Sequence, residues 1–285
     1  MNIGIVGLGL IGGCLGLDLK AFGHRVYGVA RRSHTCDQAL AMQAVDVAST
    51  QLSDLRSCDL VFVCTPIATV VPIVEQLAQM LPAQTVITDV GSVKGALVDA
   101  ATQHWPMFVG GHPMSGKSEA GIEAAQRNLF QGNAYVITPI DSQGSQTNGK
   151  AIALLENLIS QLGSVLYHCT PSEHDRAVAW ISHLPVMVSA NLISAAINEP
   201  NETVQKLAQS LASSGFRDTS RVGGGNSELG LMMAKYNRDE VLRSLTRYQQ
   251  EITATIEHLE TENWSAITQT LDKTHQARPH FLNPA

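Results

Sequence analysis

The 285-residue sequence is short of charge and of aromatics: Asp, Glu, Lys and Arg make up 15% of it, and Phe, Trp and Tyr 5%. Its 19 Lys and Arg form no dense run and are outnumbered by 25 Asp and Glu, for a formal net charge of -6. That leaves no electrostatic footprint for nucleic acid or an anionic membrane, and small-molecule partners are favoured. Cysteine is sparse too. Cys14, Cys36, Cys58, Cys64 and Cys169 are odd in number and include no Cys-x-x-Cys pair, so no metal site is expected and reduced thiols in the cytosol fit best. The apolar opening from Ile3 to Leu17 has no preceding Lys or Arg and is interrupted by Gly, unlike a secretion signal. No other window is expected to approach the roughly 20 apolar residues of a membrane helix. A soluble, cytoplasmic protein with no membrane partner is the expectation.

What is present is a 44% apolar chain longer than a usual single domain, which predicts two domains, each with its own core. The first 169 residues alternate apolar runs with helical patterns. Strands are predicted at Asn2 to Val6, His24 to Val29, Asp46 to Ala48, Leu60 to Cys64, Thr85 to Thr88, Ala134 to Thr138 and Ser164 to His168, with a surface loop from Asp141 to Gly149. The alternation predicts an α/β fold with a parallel, doubly wound (Rossmann-type) sheet over 1–169. At Thr170-Pro171-Ser172-Glu173 a hydroxyl, a Pro at the first helical position and a Glu three residues on form a capping box. A second helix start falls at Asn237-Arg238-Asp239-Glu240, followed by Val241, Leu245, Tyr248, Ile252, Ile256 and Leu259 at helical spacing. No strand is evident from Thr170 onward, so 170–285 reads as an all-helical domain.

The first strand runs into Gly7-Leu8-Gly9-Leu10-Ile11-Gly12 and then a helix, the context a dinucleotide-binding turn requires. Gly7 permits the tight turn, Gly9 lets the backbone approach the pyrophosphate, and Gly12 lets the helix pack on the strand; Leu10 and Ile11 lie between. The helix N-terminus then offers free N–H groups and its positive dipole end. Thr65-Pro66, which closes the strand Leu60 to Cys64, is counted with the cofactor set. An NAD enzyme would carry an acid after the second strand, where this chain has Arg31-Arg32-Ser33. Two guanidinium groups and a hydroxyl suit a 2'-phosphate, so NADP is the expected cofactor.

Ligands of open α/β sheets sit beyond the carboxyl ends of the strands, where Asp89 to Lys94 and Gly110 to Gly116 both fall. Alcohol oxidation needs a base tuned near neutral pH, and His112, read as lying in a glycine-rich loop, is the best-placed histidine. Ser92 is a partner for the same hydroxyl and the nicotinamide, or else a helix N-cap. His174 and His183 are nine residues apart and so on opposite faces of a straight helix; Pro185 offers a bend, and His174 is expected to be solvated. Arg217 and Arg221, in a Ser- and Gly-rich segment, offer guanidiniums for a substrate carboxylate, or else form a solvated turn.

These residues resemble the prephenate and arogenate dehydrogenases of tyrosine biosynthesis, including the cyanobacterial NADP-dependent arogenate type. The resemblance rests on Gly7 to Gly12, Cys64-Thr65-Pro66, Asp89 to Lys94, Gly111-His112-Pro113-Met114 with Gly116, Glu173-His174-Asp175, Ser182-His183-Leu184-Pro185 and Gly215-Phe216-Arg217-Asp218 through Arg221. It implies oxidative decarboxylation of a cyclohexadienyl substrate, with His112 taking the ring-hydroxyl proton, Ser92 beside it, and Arg221, Arg217 and His183 binding substrate. It further implies a homodimer through the helical domain. Many prephenate-using members have a second histidine where this chain has Val186 and an acid where it has Ser118. Glu119, with the loop shifted by one residue, offers a carboxylate for the ammonium of arogenate, which together with the NADP signature makes arogenate the expected substrate and prephenate the alternative. A β-hydroxyacid dehydrogenase would need a second-domain lysine, and Lys206 and Lys235 lack that context. A non-catalytic NADP sensor would need no base at His112.

Overall fold

The computed structural model describes residues 1–117, 119–139 and 148–282, and the chain divides into two compact units, Met1–Asn237 and Arg238–Ala285. In the first unit β1 (Asn2–Val6), β2 (Arg25–Val29), β3 (Val47–Ser49), β4 (Leu60–Val63), β5 (Val86–Asp89), β6 (Phe108–Pro113), β7 (Ala134–Thr138) and β8 (Val165–His168) form a sheet ordered β3-β2-β1-β4-β5-β6-β7-β8. The order reverses between β1 and β4, which creates the crevice where such sheets bind ligands. Apolar runs such as Leu60–Val63, fully buried, reflect helices on both faces. One core joins Ile3, Ile5, Leu15 and Leu19 with α1 (Leu10–Ala21), α2 (Ser33–Ala41) and α5 (Gly149–Gln161). The other joins Val6, Val61 and Val63 with α3 (Ile67–Ala78) and α4 (Gly95–His104).

The expected fully parallel sheet is corrected at one pairing. β6 and β7 are antiparallel, with His112 opposite Val136 and Pro113 opposite Tyr135. The same strand replaces the loop expected over the first residues of Gly110 to Gly116. Gly and Pro lower strand propensity, which hides β6 in the sequence. Here the glycines allow close approach: a Cβ on Gly110 would lie 2.3 Å from Thr138 Oγ1, and one on Gly111 2.7 Å from the Asp89 carbonyl oxygen. The expected loop at Asp141 to Gly149 lies largely outside the described residues.

Five further helices of the first unit follow the sheet: α6 (Pro171–Val178), α7 (Leu184–Ile197), α8 (Glu202–Leu211), α9 (Ser214–Ser220) and α10 (Ser227–Tyr236). A single π-helical turn, Ala179–His183, joins α6 to α7. The capping box is present, with Thr170 N–H donating to Glu173 at 2.8 Å and Glu173 N–H to the Thr170 hydroxyl at 3.2 Å. Contrary to expectation, the continuous helix Pro171–Ile197 is long and apolar enough to cross a membrane by length and composition. Its first turns, however, carry Glu173, His174 and Asp175, all committed to hydrogen bonds within the fold. All five cysteines are free.

The second unit is a helical pair, α11 (Arg238–Glu260) and α12 (Trp264–Leu282). Val241 is buried, while Ile252, Ile256 and Leu259 of the same stripe stand about half exposed, as do Trp264 and Leu271.

Candidate active site

Gly7 leaves β1 with φ +99°, and a Cβ there would meet the Cys64 carbonyl oxygen at 2.5 Å. A Cβ on Gly12 would sit 2.0 Å from the Gly7 carbonyl oxygen, whereas nothing lies within 4 Å of one on Gly9. Two glycines are thus demanded by packing, and the third leaves an open approach to the N-terminus of α1, where Leu10 and Ile11 form the first turn. Thr65 packs beside Gly7, and its buried hydroxyl oxygen has no hydrogen-bond partner among the described residues. A tight turn, an open helix N-terminus and an orphaned hydroxyl fit a dinucleotide. Arg31 and Arg32 are exposed at the end of β2, next to β1, and Ser33 opens α2.

Val6, Val63 and Asp89 lie level in the register of β1, β4 and β5, so the glycine turn, Thr65 and the segment after Asp89 share one edge. β6 pairs with β5 at Phe108 and Val109 and then runs past its end, held by β7. That overshoot carries His112 beyond the edge.

His112 is buried, and its Nδ1 lies 2.8 Å from Nε2 of His174. His174 Nδ1 lies 2.7 Å from Asp175 Oδ1. The same carboxylate accepts the Lys94 N–H at 2.7 Å and the Gly95 N–H at 2.8 Å, so it caps α4 from a distance of some 80 residues. Asp175 is an acceptor throughout, so His174 donates from Nδ1, and a neutral His174 accepts at Nε2. His112 must then donate from Nδ1, which leaves the lone pair on its Nε2. Burial, followed by neighbouring His174, Lys94 and His183, pushes the His112 pKa well below the usual imidazole range. The result is a neutral imidazole with a defined basic nitrogen.

This corrects two expectations. His112 sits on a strand, not in a loop, and His174 is buried at 2% exposure rather than solvated. His183 is fully buried as well. The π turn inserts one residue between the two histidines, which reduces their angular separation from about 180° to about 80°. Pro185, which lacks the N–H an α-helix would send to Ile181, accompanies it. Asn237 ends α10, and its side-chain N–H groups reach the Asp175 carbonyl oxygen at 2.8 Å and His183 Nδ1 at 3.0 Å. His183 is thereby left with its proton on Nε2, which is buried and without a partner among the described residues. Burial pushes the His183 pKa down to about 4.

Ser92 is half-buried in the bend before α4 and does not cap it; that place is Lys94's, served by Asp175. Arg217 lies on α9, exposed, with Nε 3.1 Å from the neighbouring Asp218, and Arg221 is exposed at the end of that helix. Ser214–Ser220 is helical and Arg221 lies in the turn that follows; α9 packs on α7 through Ser189, whose hydroxyl donates to the Thr219 carbonyl at 2.8 Å. Ser118 lies outside the described residues. Asp175 and Asn237 were missed as site residues; the Glu173-His174-Asp175 run after the capping box was the available signal for the first.

The fold and this edge define a dehydrogenase that uses a nicotinamide dinucleotide. Residues 15–168 match the nucleotide-binding domain of prephenate dehydrogenase and residues 170–273 its dimerization domain, so the chain belongs to the prephenate dehydrogenase family. It is 46% identical to the crystal structure of Synechocystis arogenate dehydrogenase, covering 99% of this chain and 100% of that one, with a TM-score of 0.89. It is 31% identical to the prephenate dehydrogenase of Bacillus subtilis (strain 168), over 91% of this chain and 70% of that protein. The prephenate dehydrogenase of A. aeolicus, solved with hydroxyphenyl propionate and NAD+, is 25% identical over 98% and 97% of the chains, with a TM-score of 0.91.

Proposed function

We propose that this chain converts arogenate to tyrosine by oxidative decarboxylation with NADP as oxidant, acting as a homodimer. The observation that carries the chemistry is the relay from His112 through His174 to Asp175, which leaves His112 Nε2 free to accept the proton of a ring hydroxyl. As His112 takes that proton, the charge it gains is met by His174, itself held by Asp175. Ser92 hydrogen-bonds the same hydroxyl, and Arg221 with Arg217 holds a substrate carboxylate; His183 Nε2–H adds one further donor. The bound nicotinamide supplies the acceptor for the hydride that leaves the hydroxyl-bearing carbon. Carbon dioxide departs from the ring carboxylate, and the ring becomes aromatic. The hydroxyphenyl ligand of the A. aeolicus relative supports a site shaped for that product.

Gly7, Gly9, Leu10, Ile11, Gly12, Thr65 and Pro66 hold the dinucleotide in this reading. Arg31, Arg32 and Ser33 favour NADP because two cations and a hydroxyl at the head of α2 suit a 2'-phosphate. The greater identity to an arogenate dehydrogenase supports arogenate over prephenate. Half-exposed Ile252, Ile256 and Leu259 support association through the helical domain, which we place at 170–285 in a cytoplasmic enzyme. Replacing His112 with Asn is expected to lower turnover by about 10²-fold or more while dinucleotide binding persists. Unchanged turnover would remove His112 from the reaction.

A further inference from the structure

Asp89, at the end of β5, is fully buried and serves three donors. Oδ1 accepts the Gly111 N–H at 3.1 Å, and Oδ2 accepts the Gly91 N–H at 2.8 Å together with the ammonium of Lys94, itself fully buried. The two amides belong to the residues immediately before His112 and Ser92. One carboxylate therefore ties the two segments whose side chains must meet at a single substrate hydroxyl. Lys94 is held at both ends, its side chain by Asp89 and its N–H by Asp175. A buried ion pair is costly to desolvate and is weak evidence for stability alone. Room is nonetheless made for this one. A Cβ on Gly91 would lie 2.8 Å from Asp89 Oδ2, and one on Gly110 3.3 Å from Lys94 Cδ.

We propose that the buried Asp89–Lys94 pair is a positioning device that fixes Ser92 relative to His112 and keeps a cation beside the imidazole. The inference rests on the reading of His112 and Ser92 given above. His112 has His174 from α6, Lys94 from the β5–α4 segment and His183 from the π turn as neighbours; Asp89 pairs with Lys94 and Asp175 with His174, and Cys64 and Tyr135 lie near Asp89. Lys94 is the ammonium of this group; burial lowers its pKa, opposed by the Asp89 carboxylate in contact with it. The Lys94 charge opposes protonation of His112, in the direction of the depressed imidazole pKa.

The test compares Lys94→Met, the double variant Asp89→Asn/Lys94→Met and His112→Asn, measuring kcat, KM, dinucleotide affinity and the pH dependence of kcat/KM. Both variants at the pair are expected to lose about 10²-fold in kcat with dinucleotide affinity nearly unchanged, because the reacting groups are misplaced rather than removed. In Lys94→Met the acid limb of kcat/KM moves up by about one unit, because His112 has lost a neighbouring cation and faces the unpaired Asp89 carboxylate; in the double variant, which removes a cation and an anion together, it moves less. A purely structural pair would lower the melting temperature and leave that limb where it was. If Lys94→Met does not fold, the double variant, with no uncompensated charge, still reads the loss of kcat at unchanged dinucleotide affinity. Wild-type kcat and an unmoved limb, with His112→Asn inactive, would overturn the inference alone; an active His112→Asn would overturn the reading beneath it.

Discussion

His112 Nδ1 and His174 Nε2 are 2.8 Å apart, with the rings tilted 66° to one another, and this contact decides which nitrogen of His112 is basic. A strand residue from the first half of the chain and a helix residue 62 positions later are thereby set to one protonation pattern by a carboxylate that touches only the second. The same carboxylate caps α4, so the geometry of the base and the start of the helix behind it are coupled.

Asp175→Asn is expected to cost more than its size suggests. In either orientation the amide turns an N–H towards a donor: the Gly95 amide, or the Lys94 amide together with His174 Nδ1. If it faces His174, the proton pattern reverses and His112 Nε2 acquires a hydrogen. Turnover should fall by at least about 10²-fold while substrate KM changes little. Steady-state kinetics and a thermal melt check both parts, and wild-type turnover would contradict the relay.

The pH dependence follows from burial. His112 stays neutral through the ordinary imidazole range, so kcat/KM should show no loss from this group until well below pH 6.5. Stability has its own window, to which His112 contributes as well as His183. Unfolded, His183 takes a proton near pH 6.5, whereas in the fold it stays neutral to about 4. The unfolded chain therefore binds more protons between those values. The contribution of His183 is complete above pH 6.5 and is lost progressively as pH falls towards 4. Urea midpoints between pH 7.5 and 4.5 measure this; a His183→Asn variant should show a shallower decline, and an equal decline would exclude His183 as a source of it.

In the proposed reading, cofactor choice is carried by the head of α2. Arg31→Ala/Arg32→Ala should weaken NADP binding by about tenfold or more and leave NAD nearly unchanged, because only the 2'-phosphate loses partners. Titration with each nucleotide reads the ratio. Equal losses for both would place the arginines elsewhere.

Much of this architecture was legible in the sequence because its signals are local. Gly7 and Gly12 answer to contacts within one strand-turn-helix unit, and the Thr170–Glu173 box closes within four residues. β6 was hidden because Gly110 and Gly111 serve close approach to Thr138 and Asp89, contacts that no local propensity encodes. The burial of His174 is hidden for a related reason: its neighbour at a helix start is solvent by default, and the contact that sets its place, with His112, is long-range. The π turn defeated the nine-residue arithmetic, since one extra residue in a turn rotates everything beyond it. Asn237 reads as a helix cap and instead joins His183 to Asp175.

The central claim is an NADP-dependent oxidation of arogenate by this site. Its most direct measurement supplies arogenate and prephenate separately, each with NADP and with NAD, and follows the absorbance of the reduced nicotinamide. The highest kcat/KM is expected for arogenate with NADP; preference for prephenate with NAD, or no reduction with either substrate, would overturn the proposed activity.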